Sequence, residues 1–227
     1  MYSTLLFDND NTLLDFEKAE NSAIIMSFSE VGVECSKHNL KLYKEINDSL
    51  WKKLEIGEIK SPDEIRTERF KLFFQKTGYS FSADKMGEIY ATHLSKTGFL
   101  MDGVEDMLSS LHTHYDMYII TNGISDIQRS RISHSGIGHY FKGIFISEEI
   151  GYSKPDKRYF NYVLGHIDEK DKSKIIVIGD RVSSDIQGAE NSGLDSMLIS
   201  NIPSEKAKFN VKSANEVKNI LTKWADK

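Results

Sequence analysis

The chain has 227 residues, 39% of them hydrophobic and 28% charged, with a formal net charge of −5. That balance belongs to an ordinary soluble globular protein, and the length suits one large domain or a domain carrying a modest insertion. An acidic total without a Lys/Arg-rich run argues against duplex nucleic acid as a partner, and no stretch reads as a membrane span. Cys35 is the single cysteine, so no intrachain disulfide can form. With an amino terminus that runs directly into a strand, this predicts a reducing, cytoplasmic setting.

The first predicted element is a short apolar strand over residues 4–7. It ends in the run Phe7-Asp8-Asn9-Asp10-Asn11-Thr12-Leu13. Two carboxylates at the carboxyl edge of a strand can divide nucleophilic and proton-transfer work, and together they can hold a divalent cation. From about Asp15 to Lys96 the pattern is helical only. Leu42, Ile46, Leu50 and Leu54 recur every four residues, and Ile65, Phe70, Phe73 and Phe74 form a second apolar face. Ser61-Pro62-Asp63-Glu64 reads as a helix start, with a serine cap, proline in the first turn and acids near the positive end of the dipole.

From about Val104 onward strands and helices alternate. Strands are predicted over 117–120, 143–146, 175–178 and 196–199, with helices near 126–134, 157–164 and 183–191. Such alternation implies parallel βαβ units. The expected fold is therefore α/β: a Rossmann-like parallel sheet with helices on both faces and an inserted all-helical cap. Residues 1–14 and 97–227 make the core domain, and 15–96 make the cap.

In an open α/β sheet, ligands bind at the carboxyl ends of the strands. Asp8, Thr121 and Asp180 each fall at such an end, and Lys154 lies in the loop after the strand at 143–146. Taken singly, each has a bland alternative: a helix cap for the aspartates, a turn former for Thr121, a solvated loop lysine for Lys154. Their joint occurrence in this order is the stronger signal.

The ordered set FDNDNTL, IITNG (Ile119 to Gly123), Lys154-Pro155 and GDRVSSD (Gly179 to Asp185) resembles the four motifs of the haloacid dehalogenase (HAD) superfamily of aspartate-nucleophile hydrolases. The resemblance spans nearly the whole chain. It implies that Asp8 attacks phosphorus to form an aspartyl-phosphate. Asp10 would protonate the leaving alcohol and then activate water. Thr121 and Asn122 would bind the phosphate, and Lys154 would hold both nucleophile and phosphate. Asp8, the backbone carbonyl of Asp10 and Asp180 would bind Mg²⁺, with Asp185 in the outer shell. The charges require such help: two carboxylates and a phosphate dianion repel one another, so a hard cation must assemble them. Lys154 adds positive charge that keeps Asp8 ionised.

Within the superfamily, members that displace halide lack an acid where Asp10 stands, because halide needs no proton. Asp10 therefore favours phosphate ester hydrolysis. Asn11 occupies a position often held by glycine or an acid and reads as a tolerated turn variant. FISEEIGYSKPDKRYF and IGDRVSSDIQGAENSGLD, with Asn47, Leu50-Trp51, Gly57-Glu58-Ile59 and Arg69-Phe70 in the cap, are similar to the YjjG/YfnB-type pyrimidine 5′-nucleotidases. The implied substrate is a nucleoside monophosphate, pyrimidine ones especially, and the expected assembly is a monomer or homodimer. A sugar-phosphate, phosphoglycolate or acylneuraminate-phosphate phosphatase is the alternative on the same core. A non-catalytic aspartyl-phosphate regulator is the alternative of another class.

In the cap, Asn47, Trp51 and Glu55 lie at i, i+4 and i+8 on one helical stripe. An indole there can stack on a base and an amide can pair with its edge. The plainer expectation is that Trp51 fills the cap interior and Asn47 caps or bridges helices. Arg66 and Arg69 are expected to reach a phosphate or to pair with Glu64, Glu68 or solvent. His112 and His114 lack a third ligand and read as solvated. Cys35 reads as a partly buried bystander.

Overall fold

The computed structural model describes residues 1–225. The chain enters through β1 (Thr4–Asp8) and then runs through four helices: α1 (Phe16–Val31), α2 (Lys37–Glu55), α3 (Pro62–Thr77) and α4 (Ala83–Ser95). It continues through α5 (Val104–Leu111), β2 (Asp116–Thr121), α6 (Ser125–Ser135), β3 (Gly143–Ile146), α7 (Ser147–Ile150) and α8 (Lys157–His166). The last part holds β4 (Ile175–Gly179), α9 (Gln187–Ser192), β5 (Asp195–Ile199), β6 (Phe209–Val211) and α10 (Ala214–Ala225).

The six strands form one sheet in the order β3-β2-β1-β4-β5-β6, and every neighbouring pair is parallel. β1 and β4 are buried along their whole length, as expected of strands covered on both faces. Alternating side chains feed two cores. Leu5, Phe7, Met117 and Ile176 pack against Val104, Leu108, Val217 and Leu221 of α5 and α10. Leu6, Ile120 and Val177 pack against Tyr159, Phe160 and Ala189 of α8 and α9 on the other face. Because the chain steps from β1 to β2 on one side and to β4 on the other, strand order reverses at β1. That reversal opens a crevice at its carboxyl end.

The four early helices have an apolar cluster of their own. Phe28 stacks on Phe73 at 4.9 Å and Tyr43 on Phe70 at 5.6 Å, and the cluster reaches Ile124 and Ile127 at the start of α6. Burying one such side chain contributes roughly 1.5–3 kcal/mol. α3 begins as its sequence indicates: Ser61 and Glu64 form a reciprocal capping box with Pro62 in the first turn. The two segments that enter and leave these helices pair antiparallel with each other through an isolated bridge at Leu14 and Leu100. Asp15 N–H donates to Phe99 O at 2.9 Å, and Met101 N–H donates to Leu13 O at 2.9 Å.

Three local features differ from the sequence reading. β6 and α10 lie past the last predicted strand; a three-residue strand is too short to show alternation. The expected helix over 183–191 opens as a π-helical turn, Val182–Ile186, before α9. Cys35 is exposed rather than partly buried, because it sits in the surface turn between α1 and α2. Among the described residues, no helix is long and apolar enough to cross a membrane.

Candidate active site

The crevice at the end of β1 is a cleft walled by the strand ends below and by α1–α4 above. Asp8 ends β1 and is buried. The chain then turns sharply: Leu13 and Leu14 N–H both donate to Asn9 O, and Asn11 adopts φ 62°. That left-handed conformation suits glycine or a short Asn or Asp. Asn11 also uses its side chain, since Oδ1 accepts from Phe16 N–H at 3.1 Å and Glu17 N–H at 3.3 Å. The residue read as a tolerated variant therefore serves the first two amides of α1, beside the N-cap Asp15, which accepts from Lys18 N–H at 2.9 Å.

Lys154 reaches the same point from the loop after α7 and is 2% exposed. Its three ammonium protons have three acceptors: Asp8 Oδ1 at 2.6 Å, Asp185 Oδ1 at 2.7 Å and Ile120 O at 3.1 Å. Burial alone would push the lysine pKa down, but Asp185 and Asp8 reverse this and hold it well above the ordinary range. Asn122 aims the loop. Its amide donates to Lys154 O and its Oδ1 accepts from Lys154 N–H, both at 2.8 Å. The side chain expected to bind phosphate is thus spent on positioning Lys154, which leaves Asn122's backbone N–H as the group it can offer. Thr121 Oγ1 accepts from Gly123 N–H at 3.1 Å, so its own proton is available to the cleft it lines.

Asp180 follows Gly179 at the end of β4, and Asp185 returns beneath it from the π-helical turn. Gly179 has no room for a Cβ: one would collide with the Asp185 carboxylate. Asp185 Oδ2 accepts from Arg181 N–H at 3.1 Å, so both of its oxygens are engaged by the protein. One ligand atom each from Asp8, Asp180 and Asp185 lie within 4.8 Å of one another, and Asp180 Oδ1 is buried without a partner. Burial, then mutual repulsion, drives the carboxyls upward. Asp8 is pushed up to about 7, against the pull of Lys154, and Asp180 to about 8. An oxygen-only set of crowded carboxylates with an orphaned atom fits a hard divalent cation.

Asp10 leaves the turn toward α6. Its Oδ1 pairs with Arg131 and its Oδ2 accepts from Gln128 Nε2 at 2.6 Å. Asn9 Nδ2 donates to Gln128 Oε1 and so fixes the amide's orientation. Neither α6 residue stood out in the sequence. The available signal was the spacing: Gln128 and Arg131 are three apart, hence on one helical face, just after the IITNG run.

The cap wall departs more from expectation. Trp51 and Glu55 line the cleft, as does Arg69, but Asn47 does not. Asn47 is buried and donates to Glu20 Oε1 at 2.6 Å, bridging α2 to α1. Arg69 does not meet Glu64, Glu68 or solvent. It is buried, with Nε on Ile65 O at 2.8 Å and its guanidinium 5.2 Å from the Tyr90 ring. Arg66 pairs instead with Asp63 at 2.9 Å and, across to α6, with Asp126 at 2.8 Å. Glu55 receives Arg181 at 3.1 Å and Ser183 Oγ at 3.0 Å, a tie between the helices and the sheet.

Residues 5–199 match the family model described as haloacid dehalogenase-like hydrolase. The chain is 35% identical over 225 residues to the HAD-hydrolase YfnB of Bacillus subtilis, covering 97% of this chain and 95% of that one. The solved YfnB structure, bound to magnesium, superimposes with a TM-score of 0.92 over 97% of this chain and 98% of that one, at 34% identity. The pyrimidine 5′-nucleotidase PynA of Streptococcus pneumoniae is 36% identical over 197 residues, covering 86% and 83% of the two chains. The pyrimidine 5′-nucleotidase YjjG of Escherichia coli is 27% identical over 224 residues, covering 96% and 97%. With its motifs at the reversal point of a parallel sheet and relatives of this extent, the chain belongs to the haloacid dehalogenase-like hydrolase family.

Proposed function

We propose that this protein is a Mg²⁺-dependent phosphomonoester hydrolase of pyrimidine nucleoside 5′-monophosphates, working through an aspartyl-phosphate on Asp8. One observation carries the reaction type: a second carboxylate, Asp10, lines the same cleft as Asp8 and is held by donors on both oxygens. A leaving alkoxide needs a proton where a leaving halide does not. The nucleotide is supported by the likeness to two proteins named as pyrimidine 5′-nucleotidases and by Trp51 on the cleft wall.

In this reading, residues 15–96 act as a cap over a core of residues 1–14 and 97–227. The Asp8 carboxylate attacks phosphorus and the P–O bond to the nucleoside breaks. Asp10 passes a proton to the departing 5′-oxygen. It then takes one from water, which attacks the aspartyl-phosphate, releases inorganic phosphate and restores Asp8. Lys154 holds Asp8 in place and supplies positive charge beside the transferring group. The Thr121 hydroxyl and the Asn122 backbone N–H receive phosphate oxygens. Asp8, the Asp10 backbone carbonyl and Asp180 would hold Mg²⁺, with Asp185 behind them; bound there, the ion would neutralise phosphate charge next to the nucleophile.

The test is a phosphate-release screen with Mg²⁺ over nucleoside monophosphates, sugar phosphates and phosphoglycolate. The expected result is the highest kcat/KM for pyrimidine 5′-monophosphates. A best substrate among the sugar phosphates would replace the nucleotide reading while keeping the reaction. No turnover of any phosphomonoester, p-nitrophenyl phosphate included, would overturn both.

A further inference from the structure

Asp10 is gripped by one turn of α6, and the grip is more elaborate than packing requires. Arg131 takes Oδ1 and Gln128 takes Oδ2, so both carboxylate oxygens have a fixed donor. Each donor is itself held. Asn9, from the same turn as Asp10, donates to Gln128 Oε1, which leaves the Gln128 NH₂ facing the carboxylate. Arg131 Nε donates to Thr97 Oγ1 at 3.3 Å, and the guanidinium lies 5.4 Å from the Phe16 ring.

The backbone makes room for this arrangement. At Gly123 a Cβ would collide with the Gln128 side chain, so the glycine after Thr121-Asn122 is what lets Gln128 cross to Asp10. Arg131 is fully buried, yet its Nη2 has no partner. An orphaned donor on a buried cation is unfavourable, and a residue serving packing alone would be neutral.

We propose that Gln128 and Arg131 are the positioning residues of Asp10, fixing where its carboxylate delivers and collects the proton. The inference rests on the reading of Asp10 as the general acid and base. It adds the machinery that aims Asp10, for which α6 supplies two arms and Gly123 the clearance. A clamp of this kind acts on the chemical step and leaves substrate binding nearly alone. Its effect is greatest where the leaving group most needs a proton.

The experiment compares kcat and KM for a pyrimidine 5′-monophosphate and for p-nitrophenyl phosphate, whose leaving group needs little protonation. Asp10→Asn, Gln128→Met, Arg131→Met and Arg131→Lys are measured beside the parent, with Gln128→Met also placed in the Asp10→Asn background. Asp10→Asn should lose nucleotide kcat selectively. The two methionine variants should show the same selectivity at smaller amplitude, about 10- to 100-fold against the ~10²–10⁴ typical of general acid–base help, with KM nearly unchanged. Arg131→Lys should recover part of the loss, and Gln128→Met should cost almost nothing further once Asp10 is asparagine.

A uniform loss in Asp10→Asn would overturn the general-acid reading and the clamp with it. A selective loss there, with losses in the methionine variants that are equal for both substrates or fully additive with Asp10→Asn, would overturn the clamp alone. If Arg131→Met melts before assay temperature, Gln128→Met and Arg131→Lys decide by the same criteria.

Discussion

The two walls of the cleft solve the problem of buried charge in opposite ways. At the strand ends, Asp8, Asp180 and Asp185 crowd together with one lysine between three carboxylates, and Asp180 keeps an oxygen without a partner. On the cap side, Glu20, Asn47, Tyr43 and Arg69 form a buried polar group in which Asn47 donates to Glu20 and Arg69 reaches Tyr43 at 3.4 Å. The sheet edge is electrostatically incomplete and is completed by what it binds. The cap cluster holds its opposite charges, Glu20 and Arg69, within one buried group, with only the neutral Asn47 Oδ1 left without a partner, and it backs a wall on which Trp51 lines the cleft. In the proposed function, reaction chemistry and substrate choice thereby fall on different elements.

The sharpest way to break that contrast is at the incomplete wall. Asp8→Asn should abolish turnover while the thermal melt stays cooperative, because the amide keeps the shape and removes the nucleophile. Substantial phosphate release from a folded Asp8→Asn protein would refute the covalent route. Chelation should likewise remove activity and Mg²⁺ restore it, and Asp180→Ala should raise the Mg²⁺ concentration needed or eliminate turnover. Full activity in chelator would show that the carboxylate cluster needs no cation.

Asp185→Ala tests the lysine bridge instead. It takes one partner from a buried ion pair, a change that typically costs roughly 3–5 kcal/mol, with the low end expected here because Asp8 and Ile120 still hold Lys154. Denaturant unfolding with bound Mg²⁺ measures it, and an unchanged midpoint would remove the bridge from the account.

The cap side predicts smaller and more selective effects. Base–aromatic stacking is worth ~1–3 kcal/mol, so Trp51→Ala should lower kcat/KM for nucleotides by roughly 5- to 150-fold while sparing p-nitrophenyl phosphate. Equal losses for both substrates would assign Trp51 to cap packing. The smallest effect belongs to Glu20, whose carboxyl is pushed up to about 7 by burial against the opposing charge of Arg69. The folded protein then keeps a proton that the unfolded chain sheds between about 4.5 and 7, so stability falls as pH rises through that window. Glu20→Gln should flatten this part of the Tm–pH curve, and an unchanged slope would mean the cluster does not titrate there.

The helical stripe through Asn47, Trp51 and Glu55 shows where reading residues alone stops. Spacing put the three on one line, and two of them do face the cleft, but a rotation of a few tens of degrees turns Asn47 inward to Glu20. Arg69 was expected to find acids nearby in sequence and instead finds Tyr43 and Tyr90, one from α2 and one from α4. Asn122 belonged visibly to a phosphate-site motif, yet its side chain serves Lys154, 32 residues away.

Sequence by itself determined the strand–helix alternation, the helical stretch between β1 and the rest, the carboxylates at strand ends and the lysine in the loop beyond β3. These follow from short-range periodicity and from the rule that a parallel sheet exposes its loops at one edge. Only the tertiary structure decided which donors hold Asp10, that Asp185 shares Lys154 with Asp8, and which cap side chains face the cleft. Those are contacts between segments 31 to 146 residues apart, or between helices whose rotation is settled by aromatic packing. No local pattern records the distance between Asp10 and Arg131. The packing of α6 against Thr97, just past the end of α4, and the clearance at Gly123 create it.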